Sequence, residues 1–194
     1  MEDITPRDIL ESVREGDYDK FLTMVEKVGN FLVFHSSIDD ILHEASFRGN
    51  EKIVDYLLKI NMDVNKKDWR NKTPIHHAVE SGNLPIVEIL IDYGADLTSE
   101  DMQGNSPILI GIKSKNTPIV KMLFKKLKCN GCAENKCKLL NEAALSGNII
   151  IFQEVSNVCK CFPIMNGNLE SLIDSAKTGG NQDIVDMISK QNTN

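Results

Sequence analysis

Few residues in this 194-residue chain have types suited to chemistry, and their spacing gives them no partners. The four histidines are His35, His43, His76 and His77. None has a cysteine, serine or aspartate at a spacing that suggests a nucleophile and its base. The chain has no glycine loop of the kind that cradles phosphate and no His-Glu-x-x-His metal motif. The five cysteines fall into two groups, Cys129, Cys132 and Cys137, then Cys159 and Cys161. Cys-x2-Cys is one half of a closed zinc site, for which Cys129, Cys132, Cys159 and Cys161 would supply four thiolates. Cys-x-Cys is a less usual second half, and the fifth cysteine is surplus. Free thiols in a reducing compartment are therefore expected, with a zinc- or redox-sensing module built on the 129–161 loops as the alternative. No catalytic residue, cofactor or metal is expected, and the chain does not read as an enzyme.

Composition narrows the classes further. The chain is 41% hydrophobic and 26% charged, with a net charge of −6. That balance disfavours broad nucleic-acid binding. No apolar run approaches the roughly 18 residues of a membrane helix, and the acidic start MEDITPRDIL is unlike a signal peptide. A monomeric cytoplasmic or nuclear protein is expected, with a protein partner and with neither membrane nor nucleic acid.

What would position functional side chains is a repeat. Lys72 to Asp96 reads KTPIHHAVESGNLPIVEILIDYGAD. Thr73-Pro74-Ile75-His76 opens it, Gly82-Asn83 turns it, Ile86-Val87 and Ile89-Leu90 line a second helix, and Gly94-Ala95-Asp96 closes it. Related turns fall at Gly16-Asp17, Gly49-Asn50, Lys115-Asn116, Gly147-Asn148 and Gly180-Asn181, with steps of 33, 33, 33, 32 and 33 residues. An apolar pair follows each one, such as Ile53-Val54 and Ile184-Val185. A fixed phase over six units is the mark of a repeat architecture.

These motifs resemble the ankyrin repeat, with its Thr-Pro-Leu-His-x-Ala opening, Gly-Asn turn and Gly-Ala-Asp close. The resemblance implies an all-α solenoid of stacked helix-turn-helix units with β-hairpin loops. One domain over residues 1–190 is expected, with units near 6–30, 40–65, 73–98, 106–130, 138–161 and 169–189 and a tail at 191–194. The first and last units read as polar caps. In the last, Ile173, Ala176, Ile184, Val185 and Ile188 are the expected core. The resemblance also gives His43 and His76 a structural role, tying neighbouring repeats together. It puts a small residue at Ala45, Ala78, Gly111 and Ala144, where the two helices of a unit meet.

Partner-binding positions follow from the same alignment. Trp69, Arg70 and Lys72 fall on a finger with side chains expected to point outward, and Met102 and Gln103 fall in line with them on the next finger. Phe47, Arg48, Glu80 and Lys113 are the outward positions of the inner helices. Trp and Arg are the types that most often dominate interface energy. Phe31 to Phe34 reads either as packing beneath the first finger or as an exposed apolar finger. Eight lysines against one acid between Lys113 and Lys138 read as a solvated face or as a patch for an acidic partner. Leu57-x5-Asp63-Val64-Asn65 fits the pattern that asparaginyl hydroxylases accept in ankyrin loops, which makes Asn65 a candidate modification site. The resemblance implies a protein-binding scaffold. An inhibitor or decoy of a host or regulatory protein is the first reading, similar to ankyrin inhibitors of Rel-type transcription factors. An adaptor linking two proteins is the alternative.

Overall fold

The computed structural model describes residues 4–28, 40–127, 136–159 and 169–191. All regular structure in them is helical. The chain divides into two compact units, Met1–Pro107 and Ile108–Asn194.

The first unit holds three helix pairs: α1 (Pro6–Glu15) with α2 (Tyr18–Val28), α3 (Ile41–Arg48) with α4 (Glu51–Lys59), and α5 (Pro74–Ser81) with α6 (Leu84–Asp92). The inner helix α3 lies between α1 and α5, and the outer helix α4 lies between α2 and α6. α1 starts at a reciprocal cap, in which Thr5 N–H donates to Asp8 Oδ2 at 2.8 Å and Asp8 N–H donates to Thr5 Oγ1 at 3.4 Å. Two orphan amides of the first turn are satisfied in this way. Proline opens both α1 and α5, where its missing N–H costs nothing. Ile41, Leu42 and Ala45 of α3 and Ile53, Val54 and Leu57 of α4 are buried, as are Ile75, Ala78 and Val79 of α5. Each fully buried aliphatic side chain stabilises by about 1.5–3 kcal/mol.

The second unit begins within α7 (Pro107–Lys113). It continues through α8 (Thr117–Lys126), α9 (Lys136–Leu145), α10 (Ile149–Cys159), α11 (Leu169–Thr178) and α12 (Gln182–Gln191). α9 packs on α10 and α11, and α10 packs on α8 and α12. In the last pair the core is Leu172, Ala176, Ile184 and Ile188. Leu172 takes the buried place expected of Ile173, and both Ile173 and Val185 are half-buried.

The Gly-Asn turn has two physical roles. Its first residue takes a left-handed conformation that ends the inner helix, with φ between 67° and 81° at Gly16, Gly49, Gly82, Gly147 and Gly180. Its asparagine reaches back to the preceding repeat. Asn50 Nδ2 donates to Val13 O, Asn83 Nδ2 to Phe47 O at 2.8 Å, and Asn181 Nδ2 to Gly147 O at 2.9 Å. The turn that separates two helices is thus also a staple between repeats. At the fourth turn Lys115 must adopt φ 57° without glycine's freedom.

The fifth and sixth pairs meet more closely than side chains permit. A Cβ on Gly179 would stand 2.5 Å from Ala144 O and 2.7 Å from Leu145 O, and one on Gly147 would stand 2.3 Å from Gly179 O. Gly179 follows α11 directly and lets the two inner helices approach backbone to backbone.

The loops between pairs were expected as β-hairpins, but no strand occurs among the described residues. Two aspartates explain this. In the finger 66–72 a single ladder-like bond closes the loop, Asp68 N–H to Lys72 O at 2.9 Å. Asp68 Oδ1 meanwhile accepts from Arg70 N–H and Lys72 N–H, both at 2.8 Å. Asp101 does the same in the next finger, accepting from Gln103 N–H at 2.9 Å and Asn105 N–H at 2.8 Å. A carboxylate that collects the amides of its own loop displaces the strand ladder.

Two variants test these backbone assignments. Replacing Lys115→Gly removes the left-handed strain and is expected to stabilise by about 0.5–1 kcal/mol. Replacing Gly179→Ala forces the fifth and sixth pairs apart and is expected to cost about 1–3 kcal/mol. Urea unfolding monitored by circular dichroism measures both, and an unchanged midpoint for Gly179→Ala would contradict the close approach.

Candidate functional site: a groove on the first unit

The inner helices α3 and α5 and the finger 66–72 enclose a groove of about 420 Å³. Phe47 and Glu44 from α3, His77 and Glu80 from α5, and Trp69 and Arg70 from the finger form its walls. Asp40, His43, Asp68 and Lys72 complete the lining. Phe47 and His77 project into the groove because their neighbours Ser46 and His76 are the residues that face the core.

The finger is held by Asp68. Besides its two loop amides it accepts from His77 Nε2–H at 2.9 Å, which links finger to inner helix. Burial pushes the Asp68 carboxyl upward, but the bonds from His77, Lys72 N–H and Arg70 N–H outweigh it and hold it below the usual carboxylate range. The His77 ring stands edge-on to His43 at 5.4 Å and to Phe47 at 6.4 Å. Burial lowers the pKa of His77, with the bond to Asp68 opposing only in part, so the ring is neutral at pH 7.

Next to His77 on α5, His76 shows what a satisfied histidine looks like in this fold. Its Nδ1 accepts from Thr73 Oγ1–H at 2.7 Å and Thr73 N–H at 3.1 Å. Its Nε2–H is shared between Ser99 O at 3.1 Å and Asn105 O at 3.2 Å, which anchors the next finger. His43 likewise donates from Nε2–H to Lys66 O at 2.9 Å. At the threonine's position it has Asp40, whose side chain makes no hydrogen bond to the ring. His43 Nδ1 is left buried with no partner among the described residues, 3.9 Å from Asp40 Oδ1.

Of the positions expected to bind a partner, Phe47, Trp69, Arg70, Lys72 and Glu80 line this groove. Trp69 is 75% exposed, and the Arg70 guanidinium lies 4.3 Å from its ring centroid. Met102 and Gln103 are exposed on the next finger, tied to the first by Met102 N–H donating to Arg70 O at 2.9 Å. Arg48 is exposed beside the groove, paired at 3.0 Å with Glu44, which also takes Arg14 at 3.3 Å. Lys113 is exposed on α7 in the second unit. Lys72 departs from expectation. It is buried rather than pointing freely outward, because its ammonium turns in to Glu80 Oε2 at 2.7 Å and its stem covers the finger base.

Asn65 is engaged, not free: its Oδ1 accepts from Asp96 N–H at 2.7 Å and its Nδ2 donates to Gly94 O at 3.3 Å. The expectations on Phe31–Phe34, Cys129, Cys132 and Cys161 lie outside the described residues, as do the side chains of Cys137 and Cys159.

Asp40, Glu44, Asp68 and His77 were not singled out as site residues by spacing. Asp68 carried a signal, since Asp101 stands 33 residues later with the same loop length after it.

Buried His76 and half-buried His77 both titrate below the usual histidine pKa of about 6.5, chiefly through burial. The unfolded chain therefore binds their protons more readily than the folded one. Their neutral-state stability is complete above pH 6.5 and is lost as pH falls from there through the folded values. The lowered carboxyls of Asp68 and Asp101 add a second loss, at more acid pH, as they take up protons. Urea midpoints are expected to be flat above pH 7 and to fall below 6.5, with a shallower fall in His77→Gln. A midpoint independent of pH between 7 and 5 would contradict this.

Residues 19–101 and 42–135, together more than half of the chain, match the family model for ankyrin repeats in three copies. No curated protein matches the chain. None of the described helices is long and apolar enough to cross a membrane. The chain belongs to the ankyrin-repeat family, whose members are protein–protein interaction modules and typically not enzymes.

Proposed function

We propose that this protein is a binding scaffold of the cytoplasm or nucleus that inhibits or decoys a host or regulatory protein by seating part of it in the groove of the first unit. The observation that carries this reading is the exposed pair Trp69 and Phe47 on walls that are themselves fixed. Trp69 is three-quarters exposed and Phe47 is 43% exposed. The finger bearing Trp69 is braced by Asp68, His77 and the link to the next finger, and Phe47 sits on a helix packed from both sides.

Large aromatic side chains held rigid before binding lose little entropy on association, and such anchors carry most of the energy of an interface. Met102 at 63% exposed extends the same apolar surface along the fingers. An inhibitor of this kind needs no chemistry of its own. It covers the partner's working surface with its own fingers and inner helices.

Affinity capture from a host lysate tests the reading. Wild type and Phe47→Ala/Trp69→Ala are compared after circular dichroism shows equal helix content. The wild type is expected to retain a protein that the variant recovers at least about tenfold less well. The captured protein, once saturated, is expected to lose its own activity or its own partner. Equal recovery by the variant would overturn the groove as the site, and undiminished activity would overturn the inhibitory role.

A further inference from the structure

We propose that the groove of the first unit takes a basic side chain, lysine or arginine, presented by an extended segment of the partner protein. This rests on the scaffold reading above and adds the chemistry of what is bound.

The first argument is the charge of the unit. Residues 1–107 carry 21 Asp and Glu against 11 Lys and Arg, a formal charge of −10, while residues 108–194 carry 7 against 11, or +4. The net acidity of the chain is thus confined to the unit that holds the groove. A field of that sign gathers basic segments and repels acidic ones before any contact is made.

The second argument is which groove groups remain uncommitted. Glu44 is shared by two arginines, Asp68 is filled by His77 and two amides, and Glu80 is paired with Lys72. Asp40 has a side chain 69% exposed and no lysine or arginine partner among the described residues. Its Oδ1 lies 3.9 Å from Nδ1 of His43, whose ring holds the finger through Lys66 O. Among the described residues of the groove, Asp40 is thus an acid still open to a donor. An ammonium offers three N–H donors and a guanidinium five, so a basic side chain supplies one.

The third argument is Trp69. Its ring already accepts a cation, since Arg70 lies over it at 4.3 Å. Arg70 is an internal stand-in for the incoming group, and three-quarters of the Trp69 surface stays open to a second one. Because Arg70 is also the exposed cation of the groove rim, its removal frees the ring and lifts a repulsion.

Trp69 is the only tryptophan, so its fluorescence reports binding at the groove directly. The probes are acetyl-Gly-Lys-Leu-Arg-Lys-Gly-amide and its charge-reversed form, acetyl-Gly-Glu-Leu-Asp-Glu-Gly-amide. The basic peptide is expected to bind and the acidic one not. Asp40→Asn is expected to weaken binding about five- to tenfold, and Arg70→Gln to strengthen it about two- to fivefold. Glu88→Gln on the outer helix α6 removes the same formal charge away from the groove and is expected to change binding less than about twofold.

Tighter binding of the acidic peptide, weakening by Arg70→Gln, or an equal effect of Glu88→Gln and Asp40→Asn would each overturn the proposal. So would no binding of either peptide at about 1 mM. A protein captured through Phe47 and Trp69 whose bound segment is acidic or uncharged would overturn this inference alone. Failure to capture any protein would overturn the scaffold reading itself.

Discussion

Helices of seven to eleven residues do not persist alone in water, because a helix that short cannot recover the cost of its first turn. Every helix of the two units falls in that range. Each pair is therefore stable only against its neighbours, and the rest of the architecture answers to that constraint. It explains why the recurrent residues are those that reach across a repeat boundary. Asn50 and Asn83 carry a bond from one turn to the previous inner helix, and Asn181 carries one to the previous turn. His43 and His76 carry one from an inner helix to a finger. Gly179 lets the fifth and sixth inner helices touch through backbone alone. A change at any of these positions acts on two repeats together, so its cost should exceed that of a like change on an exposed helix face.

The groove grows out of the same constraint. A finger without strands would wander if its amides were left to water. Asp68 prevents that by collecting two loop amides and a histidine at one carboxylate. That one cluster sets the loop, fixes the His77 ring as a wall and places Trp69 at the rim. Lys72 and Glu80 close the far side of the finger in the same spirit, as a half-buried pair whose worth is mainly positional. A surface of this kind is stiff because its polar groups bond one another, and the exposed aromatic groups stand on it.

Much of this could be read in the chain beforehand, and the reason is periodicity. A 33-residue step repeats the same backbone demands, so Gly-Asn turns and Ile-Val pairs mark the helix boundaries and cores without any knowledge of contacts. Phe47, Trp69 and Glu80 could be placed on one surface because position within a repeat determines which way a side chain faces. Lys72 defeated the same logic. Phase assigns a direction to Cβ, but a long flexible stem can turn its charge inward toward Glu80, and only the neighbouring helix decides whether it does. Strands failed for a related reason. Asp68 and Asp101 are ordinary as residue types, and their effect depends on each carboxylate meeting its own loop amides in three dimensions. Leu172 in place of Ile173 is an error of phase of one residue, made where the last repeat departs furthest from the pattern and the spacing offers least guidance.

Specificity in such a fold comes from departures rather than from the repeat. Where the third repeat has Thr73 to complete the histidine's bonds, the second has Asp40, and His43 Nδ1 has no donor among the described residues. Satisfying that atom internally would be simple, since a threonine at the equivalent position already does so 33 residues later. The same substitution leaves an open carboxylate at the end of an aromatic groove, in the more acidic half of the chain.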